Sequence, residues 1–324
     1  MSEQQDYAKE VRAHPQPAEE VTRRTVLGYA ASAPAVLLGQ PAPSQDDAWD
    51  CYRKGVERYL RFTPQDNLEA RRLFEQATQA DPQCARAYGL RAATYRQAWT
   101  FGWTPDPARA LAEAARWAQH AVALARREPP PQPSLPHVLE QWGFVCLYQG
   151  HHTEAQVVSE EAIRCAPHLA NGHGLAALVQ IYRGQPDTAL RHTAEALRLD
   201  PRGSHFYDYH RGQAYTVWGL LTEEADLTAA QPLYQLAAKH LRASLHTSPN
   251  FRSARTYLVA ALQALGQQEE AGSETTILRA QGRPPAADPQ FQALIERTHP
   301  YEDSVITRRL LALWQAAEHR AAVS

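Results

Sequence analysis

Three residues near the middle of the chain have types and spacing that could hold a metal ion: Cys165, His168 and His173. Thiolate and imidazole groups bind zinc and other transition metals, and a structural zinc site needs four such ligands. Pro167 divides the run between two predicted helices, and no fourth ligand stands at a suitable spacing. The adjacent His151 and His152 fall in a predicted turn, where histidines are usually solvated. We therefore predict no metal and no other cofactor.

Sequence motifs of known catalytic chemistry are absent from the chain. It contains no GxxxxGK[ST], GxGxxG, GxSxG or HExxH pattern, so phosphate-binding loops, nucleophile elbows and zincin helices have no support. The glutamate pairs 160–161 and 269–270 point in different directions on a helix, and we interpret them as solvated faces. The sequence thus assigns no catalytic residue and predicts a protein that is not an enzyme.

Composition bounds the fold class and the kind of partner. The 324 residues include 56 alanines but only 16 glycines, and because alanine is the strongest helix former, an all-α protein is expected. A hydrophobic fraction of 44% excludes disorder of the whole chain. Thirty-three Lys and Arg against 35 Asp and Glu leave no basic excess to neutralise phosphates. We predict no nucleic-acid partner and, since long apolar runs are absent, no membrane-spanning helix.

Residues 1–44 differ in composition from the rest of the chain. Residues 1–21 are polar, carry charges of both signs and show no helical period, so they are predicted to be disordered. Arg23 and Arg24 precede a short apolar stretch over residues 28–39, a pattern that resembles a twin-arginine export signal. The alternative is a short amphipathic helix that packs on the first repeat. The sequence leaves cytoplasmic and exported locations about equally open.

From residue 46 onward the chain repeats itself with a period of 34 residues. Four pairs of residues are related by this shift: Gly150 and Gly184, Ala155 and Ala189, Ala162 and Ala196, and Pro167 and Pro201. Small residues let paired helices approach closely, and the proline ends the second helix of each unit. A helix-turn-helix unit of this length is typical of the tetratricopeptide repeat family, which the chain resembles.

The resemblance implies an all-α, right-handed superhelical solenoid with a concave groove. Six units are expected over residues 45–284, and residues 285–324 are predicted to form capping helices that close the array. Insertions are expected near residues 97–107 and 216–232, of which the second can also be read as a lengthening of both helices. A proline-rich spacer over residues 129–136 is predicted to be stiff and extended.

In the tetratricopeptide family, ligands lie along the first helices of the repeats. The repeat register places nine residues there: Trp49, Tyr52, Tyr59, Arg96, Phe144, Tyr148, Tyr182, Phe206 and Tyr209. The groove is expected to be aromatic, with Arg96, Glu140 and His210 as its ionisable members. Family members that bind chaperones hold a carboxylate with Lys, Arg and Asn, whereas Glu140 and Phe144 stand here, which favours a peptide with apolar anchors. Alternatively, several of these rings pack between repeats or against the chain's own termini.

The first insertion carries an aromatic cluster, Trp99, Phe101 and Trp103. Insertions in solenoids often map to a binding face, so one interpretation is a contact with a partner. The other is that these rings fill a gap left by longer helices.

Three functions follow in order of preference. The first is a non-enzymatic scaffold or adaptor that binds a protein or peptide segment in its groove. The second is a sensor in which the groove or the first insertion closes over a small molecule or cofactor, and the third is an enzyme built on helical repeats. The run His299-Pro300-Tyr301-x-Asp303 also resembles tails that follow tetratricopeptide arrays in bacterial class III adenylate cyclases and related regulators.

Overall fold

The computed structural model describes residues 45–201 and 204–321, and the regular structure in these ranges is α-helical. Fourteen helices follow one another there: α1 Gln45–Tyr59, α2 Pro64–Ala80, α3 Ala85–Thr100, α4 Pro107–Ala125, α5 Leu135–Tyr148, α6 His152–Cys165, α7 Ala170–Tyr182, α8 Pro186–Leu199, α9 Ser204–Glu223, α10 Leu227–Thr247, α11 Arg252–Ala264, α12 Gln268–Ala280, α13 Pro289–Thr298 and α14 Ser304–Ala321. The predicted all-α class is confirmed. The predictions for residues 1–21 and for Arg23 and Arg24 lie outside the described residues.

The first twelve helices form six helix-turn-helix units that stack in sequence. Within each unit the two helices pack on one another, and the second helix packs on the first helix of the next unit. The odd-numbered helices from α1 to α11 also contact one another in order, so they form the inner, concave layer. The result is the right-handed superhelical solenoid that the 34-residue period predicts. No helix in the described ranges is long and apolar enough to cross a bilayer.

A residue with positive φ makes the turn within several units. Gly150 and Gly184 have φ angles of 78° and 68°, a left-handed conformation that glycine adopts at little cost. The first unit has Phe62 in its turn, with a φ of 52° and 43% of its surface exposed. Bulky residues are rare in this conformation, so the first turn carries an exposed aromatic ring on an unfavourable backbone.

Capping residues fix where second helices begin. The hydroxyl of Thr63 accepts a hydrogen bond from the backbone N of Asp66 at 3.1 Å, and Pro64 occupies the first position of α2. In the same way, the carboxylate of Asp106 accepts from the backbone N of Arg109 at 2.9 Å at the start of α4. These caps satisfy backbone donors that have no partner inside the helix.

Glycine allows the closest approaches between helices. Gly212 of α9 faces α10, where a Cβ atom would lie 2.4 Å from Leu241 Cγ and 3.2 Å from the carbonyl oxygen of Ala237. Gly143 of α5 faces Leu175 of α7 in the same way, and a Cβ atom at Gly143 would lie 2.4 Å from Leu175 Cδ2. Since protein interiors are close-packed, neither site has room for a methyl group without movement of its neighbours.

Replacing Gly212 with alanine is expected to lower the free energy of unfolding by about 1–3 kcal/mol, because the methyl group overlaps Leu241 and the backbone of α10. Urea denaturation followed by circular dichroism measures the loss. The matched control is Gly174→Ala, where the nearest atom to the new Cβ is Tyr207 Cε1 at 3.4 Å and the higher helix propensity of alanine should maintain or raise stability. Equal losses in the two variants would contradict this explanation.

The predicted insertions lie largely within helices. Because α3 continues to Thr100 and α4 starts at Pro107, only residues 101–106 form a loop, while residues 216–232 lengthen α9 and α10. The proline-rich segment is compact, which differs from the predicted extended spacer. The backbone N of Gln132 donates to the oxygen of Pro129, and the backbone N of Leu135 donates to the oxygen of Gln132, both at 3.0 Å. These turn hydrogen bonds bring α5 back against α4.

The last two helices close the array. Helix α14 packs on α11 and α12 and also reaches α9. Trp314 is fully buried, and its Nε1 donates to the carbonyl oxygen of Thr256 at 2.7 Å. The buried carboxylate of Glu318 accepts hydrogen bonds from Arg283 and from the backbone N of Ala286, as a buried charge requires. An aromatic anchor and a paired charge therefore fix α14 to the end of the solenoid.

Candidate binding groove

Several predicted groove residues are core residues. Tyr52, Phe144, Tyr182 and Tyr209 retain only 1%, 8%, 3% and 7% of their surface. Tyr52 packs on Phe74 inside the first unit, with ring centroids 6.1 Å apart. The other three belong to the largest core cluster, which also contains residues of α13 and α14. Their surroundings match the alternative that the sequence left open, in which the rings pack between repeats and against the closing helices.

Residues 297–303, which we call the closing segment, occupy the concave side beside α7. The hydroxyl of Tyr182 donates to the carbonyl oxygen of Thr298 at 3.3 Å, and the backbone N of Glu302 donates to the carbonyl oxygen of Tyr182 at 2.8 Å. The ring of Tyr301 stands edge-on to that of Tyr182, with centroids 4.9 Å apart. Arg183 pairs with Glu302 at 3.2 Å. The chain thus fills this part of its own groove.

Buried phenols hold the closing segment in place. The hydroxyls of Tyr257 and Tyr301 lie 2.7 Å apart, and Gln213 Nε2 donates to the hydroxyl of Tyr257 at 3.0 Å. Burial raises the pKa of Tyr182, Tyr209 and Tyr257 well above the ordinary value, because a phenolate would lose its hydration. These tyrosines are therefore neutral hydrogen-bonding groups, suited to fixing a segment rather than to nucleophilic or basic chemistry.

Beyond the closing segment, a second stretch of the concave side lies between α1, α3 and α5, and its centre is Arg96. The Nη2 atom of Arg96 donates to the hydroxyl of Tyr59 at 3.2 Å and to Gln141 Oε1 at 3.3 Å. Its guanidinium carbon lies 4.7 Å from the centroid of the Phe144 ring, a cation–π distance. Both acceptors are neutral, so no carboxylate balances the charge at these contacts.

Arg297, in the last turn of α13, brings a second cation to this stretch. Its guanidinium lies 5.5 Å from the centroid of Trp99, and the Trp99 ring lies 5.1 Å from that of Tyr148. Burial lowers the pKa of Arg297. In the ranges that the structure describes, neither Arg96 nor Arg297 forms an ion pair, and the Nε atom of each is buried without a hydrogen bond. We call Tyr59, Arg96, Trp99, Phe144, Tyr148 and Arg297 the arginine site.

The sequence also predicts Glu140 and His210 as ionisable members of the groove. Glu140 is buried and accepts a hydrogen bond from Asn171 Nδ2 at 3.2 Å. His210 is 1% exposed, its ring lies 4.3 Å from that of Phe206, and burial lowers its pKa to about 3. His210 is therefore neutral near pH 7, and Phe206 is partly covered by it.

The aromatic residues of the predicted insertion separate into two environments. Trp99 is only 2% exposed, and it lies in α3, which continues to Thr100 into the predicted insertion. Phe101 is 43% exposed and stacks on Trp103, with centroids 4.9 Å apart. The ring of Phe101 also meets that of Phe62 edge-on at 5.9 Å. Trp49, at the start of the array, is exposed as well.

The histidines and cysteine weighed as metal ligands do not come together in the described ranges. No group of three or more His, Cys, Asp or Glu side chains there is arranged to hold a metal ion. Cys165 is exposed at the end of α6, and His173 faces His192 instead, with their Nδ1 atoms 3.2 Å apart. Burial lowers the pKa of both histidines, which suits a neutral pair in which one ring donates to the other.

Three residues of this concave surface were missed by the repeat register: Phe62, Arg297 and Tyr301. Phe62 follows α1 rather than lying on it, and Arg297 and Tyr301 lie beyond the last repeat. The run from His299 to Asp303 was noticeable as a motif, but a motif gives no distance to α3 or α7. Only the packing of α14 brings Arg297 and Tyr301 into the groove.

Comparison with known proteins supports the fold. The human IFIT1 dimer with m7Gppp-AAAA superposes with a TM-score of 0.63 at 16% identity, over 95% of this chain and 64% of that one. The fold is a solenoid of tetratricopeptide-like helix-turn-helix repeats. The IFIT1 dimer with PPP-AAAA gives a TM-score of 0.61 at 16% identity, over 98% of this chain and 67% of that one. A thermophilic tetratricopeptide repeat protein of Thermus thermophilus, TTC0263, is 21% identical, over 66% of this chain and 98% of that chain, with a TM-score of 0.48.

These similarities concern the fold, since all the identities are low. The chain spans a little under two thirds of IFIT1 in the first of these superpositions. No family model matches the chain, and no curated protein matches it.

Proposed function

We propose that the protein is a non-enzymatic scaffold that binds an acidic segment of a partner protein at the arginine site. The observation that carries this proposal is the pair of guanidinium groups, Arg96 and Arg297, that lie beside Trp99 and Tyr148 without a carboxylate partner in the described ranges. A scaffold of helical repeats presents such a surface over a long concave layer.

The chemistry of the site favours a carboxylate. Among the residues that the structure describes, the Nε atom of each arginine is buried and has no hydrogen-bond partner. A partly buried guanidinium gains most from a planar anion that accepts two hydrogen bonds at once. The hydrogen bonds that Arg96 does make, to Tyr59 and Gln141, are long and go to neutral oxygens. An Asp or Glu side chain, or a C-terminal carboxylate, would compensate the charge better.

The rings around the arginines favour an apolar or aromatic residue next to that carboxylate. Tyr59 and Tyr148 are each half-buried rather than fully enclosed. Such rings provide contact area at low entropic cost. We therefore propose that the ligand is a peptide with apolar anchors, as the sequence predicts, and that it also carries an acidic residue. It binds in the stretch beside α1, α3 and α5.

Peptide selection tests this function. A library of short random peptides is selected on the wild-type protein, and binding of the enriched peptides is measured by fluorescence anisotropy. Peptides rich in Asp or Glu are expected, and Arg96→Gln and Arg297→Gln should each weaken their binding by about tenfold or more. The matched control is Arg72→Gln, because Arg72 is exposed, pairs with Glu69 at 2.6 Å and lies on α2, away from the arginine site.

The outcomes separate the alternatives. Enrichment of neutral peptides, or acidic peptides that bind all variants equally, would overturn the proposal. An RNA oligonucleotide is included as a competitor, because the similar IFIT1 dimers are those with m7Gppp-AAAA and PPP-AAAA. The absence of a nucleic-acid partner is a prediction for this chain. Displacement of the acidic peptide by RNA at equal concentration would favour a nucleic-acid ligand.

The C-terminal tail fits the same proposal. Its resemblance to tails of bacterial class III adenylate cyclases and related regulators stays a prediction. Through Arg297 the closing segment contributes one of the two cations of the arginine site. We therefore expect the tail to be part of the binding surface.

A further inference from the structure

A cleft separate from the groove opens between α2, α3 and the loop that leads into α4. Its volume is about 280 Å³, and its lining includes Arg71, Tyr95, Trp103, Asp106 and Arg109. The loop over residues 101–106, which the sequence marked as part of an insertion, forms one wall. The cleft is large enough for a small organic molecule but not for a folded segment.

Arg71 presents an uncompensated charge to this cleft. Its Nε atom donates to Thr94 Oγ1 at 3.2 Å and its Nη2 atom donates to Asn67 Oδ1 at 3.1 Å, while its guanidinium lies 3.9 Å from the centroid of the Tyr95 ring. Burial lowers the pKa of Arg71. Within the described residues Arg71 makes no ion pair with a carboxylate, and no hydrogen bond there uses its Nη1 atom. The hydrogen bonds of Nε and Nη2 hold the side chain in place, and within the described residues the Nη1 atom is left to donate to a ligand.

The loop side of the cleft carries the aromatic ring of Trp103 and one carboxylate, that of Asp106. Trp103 is half-buried, and its ring stacks on that of Phe101. The carboxylate of Asp106 already accepts a hydrogen bond from the backbone N of Arg109 as the cap of α4. Since two arginines and one aspartate line the cleft, its net charge favours an anion.

We propose that this cleft binds a small aromatic carboxylate. The carboxylate accepts hydrogen bonds from Arg71, and the ring of the ligand lies against Trp103. Arg71 is pre-positioned by Thr94 and Asn67, so binding orders no flexible cation. The proposal is independent of the arginine site, because Arg71 lies on α2 and does not take part in the contacts of Arg96 or Arg297.

Ligand-observed NMR with two matched probes tests this site. Benzoate and benzamide have nearly the same shape, but only benzoate carries a negative charge near pH 7. Saturation transfer to benzoate is expected for the wild-type protein, with a signal from benzamide about ten times weaker or absent. Arg71→Gln should weaken benzoate binding by about tenfold or more. Arg72→Gln, at the next position of α2 but exposed and paired with Glu69, should leave it unchanged.

A second variant guards against loss of folding at Arg71. Trp103→Leu removes the aromatic wall without touching the cation, and it should weaken benzoate binding while the far-ultraviolet circular dichroism spectrum stays that of the wild type. Equal signals from benzoate and benzamide would overturn the proposal, because the charge of Arg71 would then have no role. Unchanged benzoate binding in a folded Arg71→Gln or Trp103→Leu variant would overturn it equally.

Discussion

Replacing Trp314 with alanine is expected to lower the free energy of unfolding by about 3–5 kcal/mol, a large part of the about 5–15 kcal/mol that stabilises most proteins. Trp314 is 0% exposed. Its ring stands edge-on to Tyr257 and Phe291, with centroids 6.0 Å and 5.9 Å away, and its Nε1 donates to Thr256. The variant loses this aromatic burial and leaves the carbonyl oxygen of Thr256 without that donor. Urea denaturation measures the loss.

The same substitution is expected to loosen the groove. The centroid of the Trp314 ring also lies 6.3 Å from that of His299, in the closing segment. We therefore expect the amide hydrogens of α14 and the closing segment to exchange faster in the variant, while those of α3 and α5 exchange as in the wild type. The control is Trp49→Ala, which removes a ring of the same type that is 47% exposed. It should cost under about 1 kcal/mol. Similar losses for both tryptophans would show that α14 does not anchor the end of the solenoid.

Acid is expected to destabilise the protein through two buried histidines of α9. Burial lowers the pKa of His205 to about 4 and that of His210 to about 3, whereas an unfolded chain has histidine pKa values near 6.5. The unfolded state therefore binds protons that the folded state does not. The contribution to stability is complete above about pH 6.5 and is lost as the pH falls from there toward the folded values, by up to about 1.4 kcal/mol per pH unit for each histidine.

Replacing His210 with phenylalanine is expected to flatten this dependence. The centroid of the His210 ring lies 4.3 Å from that of Phe206, and phenylalanine keeps a ring at this place. Unlike histidine, it takes up no proton in the folded or the unfolded state. Between pH 6.5 and 4.5, the loss of unfolding free energy should be about 2 kcal/mol smaller than in the wild type. Urea denaturation at a series of pH values provides the measurement. His151→Gln is the control, because the His151 side chain is 57% exposed. If His210→Phe and His151→Gln gave the same pH dependence, buried histidines would not explain the loss.

The 34-residue period of the sequence is enough to predict most of the fold. The 34-residue recurrence of residues such as Ala155 and Ala189 predicts a helix-turn-helix array, because a residue that lets two helices approach must return at the same place in every unit. Gly150 and Gly184 recur for the same reason, since each makes a turn with positive φ. Such requirements are local, and a single sequence can therefore show them.

The composition of the groove could be predicted only in part. The register predicted Arg96, Phe144 and Tyr148 for the concave side, and it also placed Tyr182 and Tyr209 there. It could not show that Tyr182 is covered, because the covering residue, Tyr301, lies 119 positions away in the sequence and has no periodic relation to it. In the same way, residues 97–100 read as an insertion although they continue α3.

The sequence by itself determined the all-α class and the solenoid of helix-turn-helix repeats, because these depend on neighbours within about one repeat length. Only the tertiary structure decided which part of the groove the closing segment fills and where Arg96 and Arg297 lie. Arg297 and Tyr301 reach the concave side because Trp314 and Glu318 anchor α14 to the end of the array. Contacts between distant parts of the chain depend on how α14 packs as a whole, and no local pattern of residues specifies that packing.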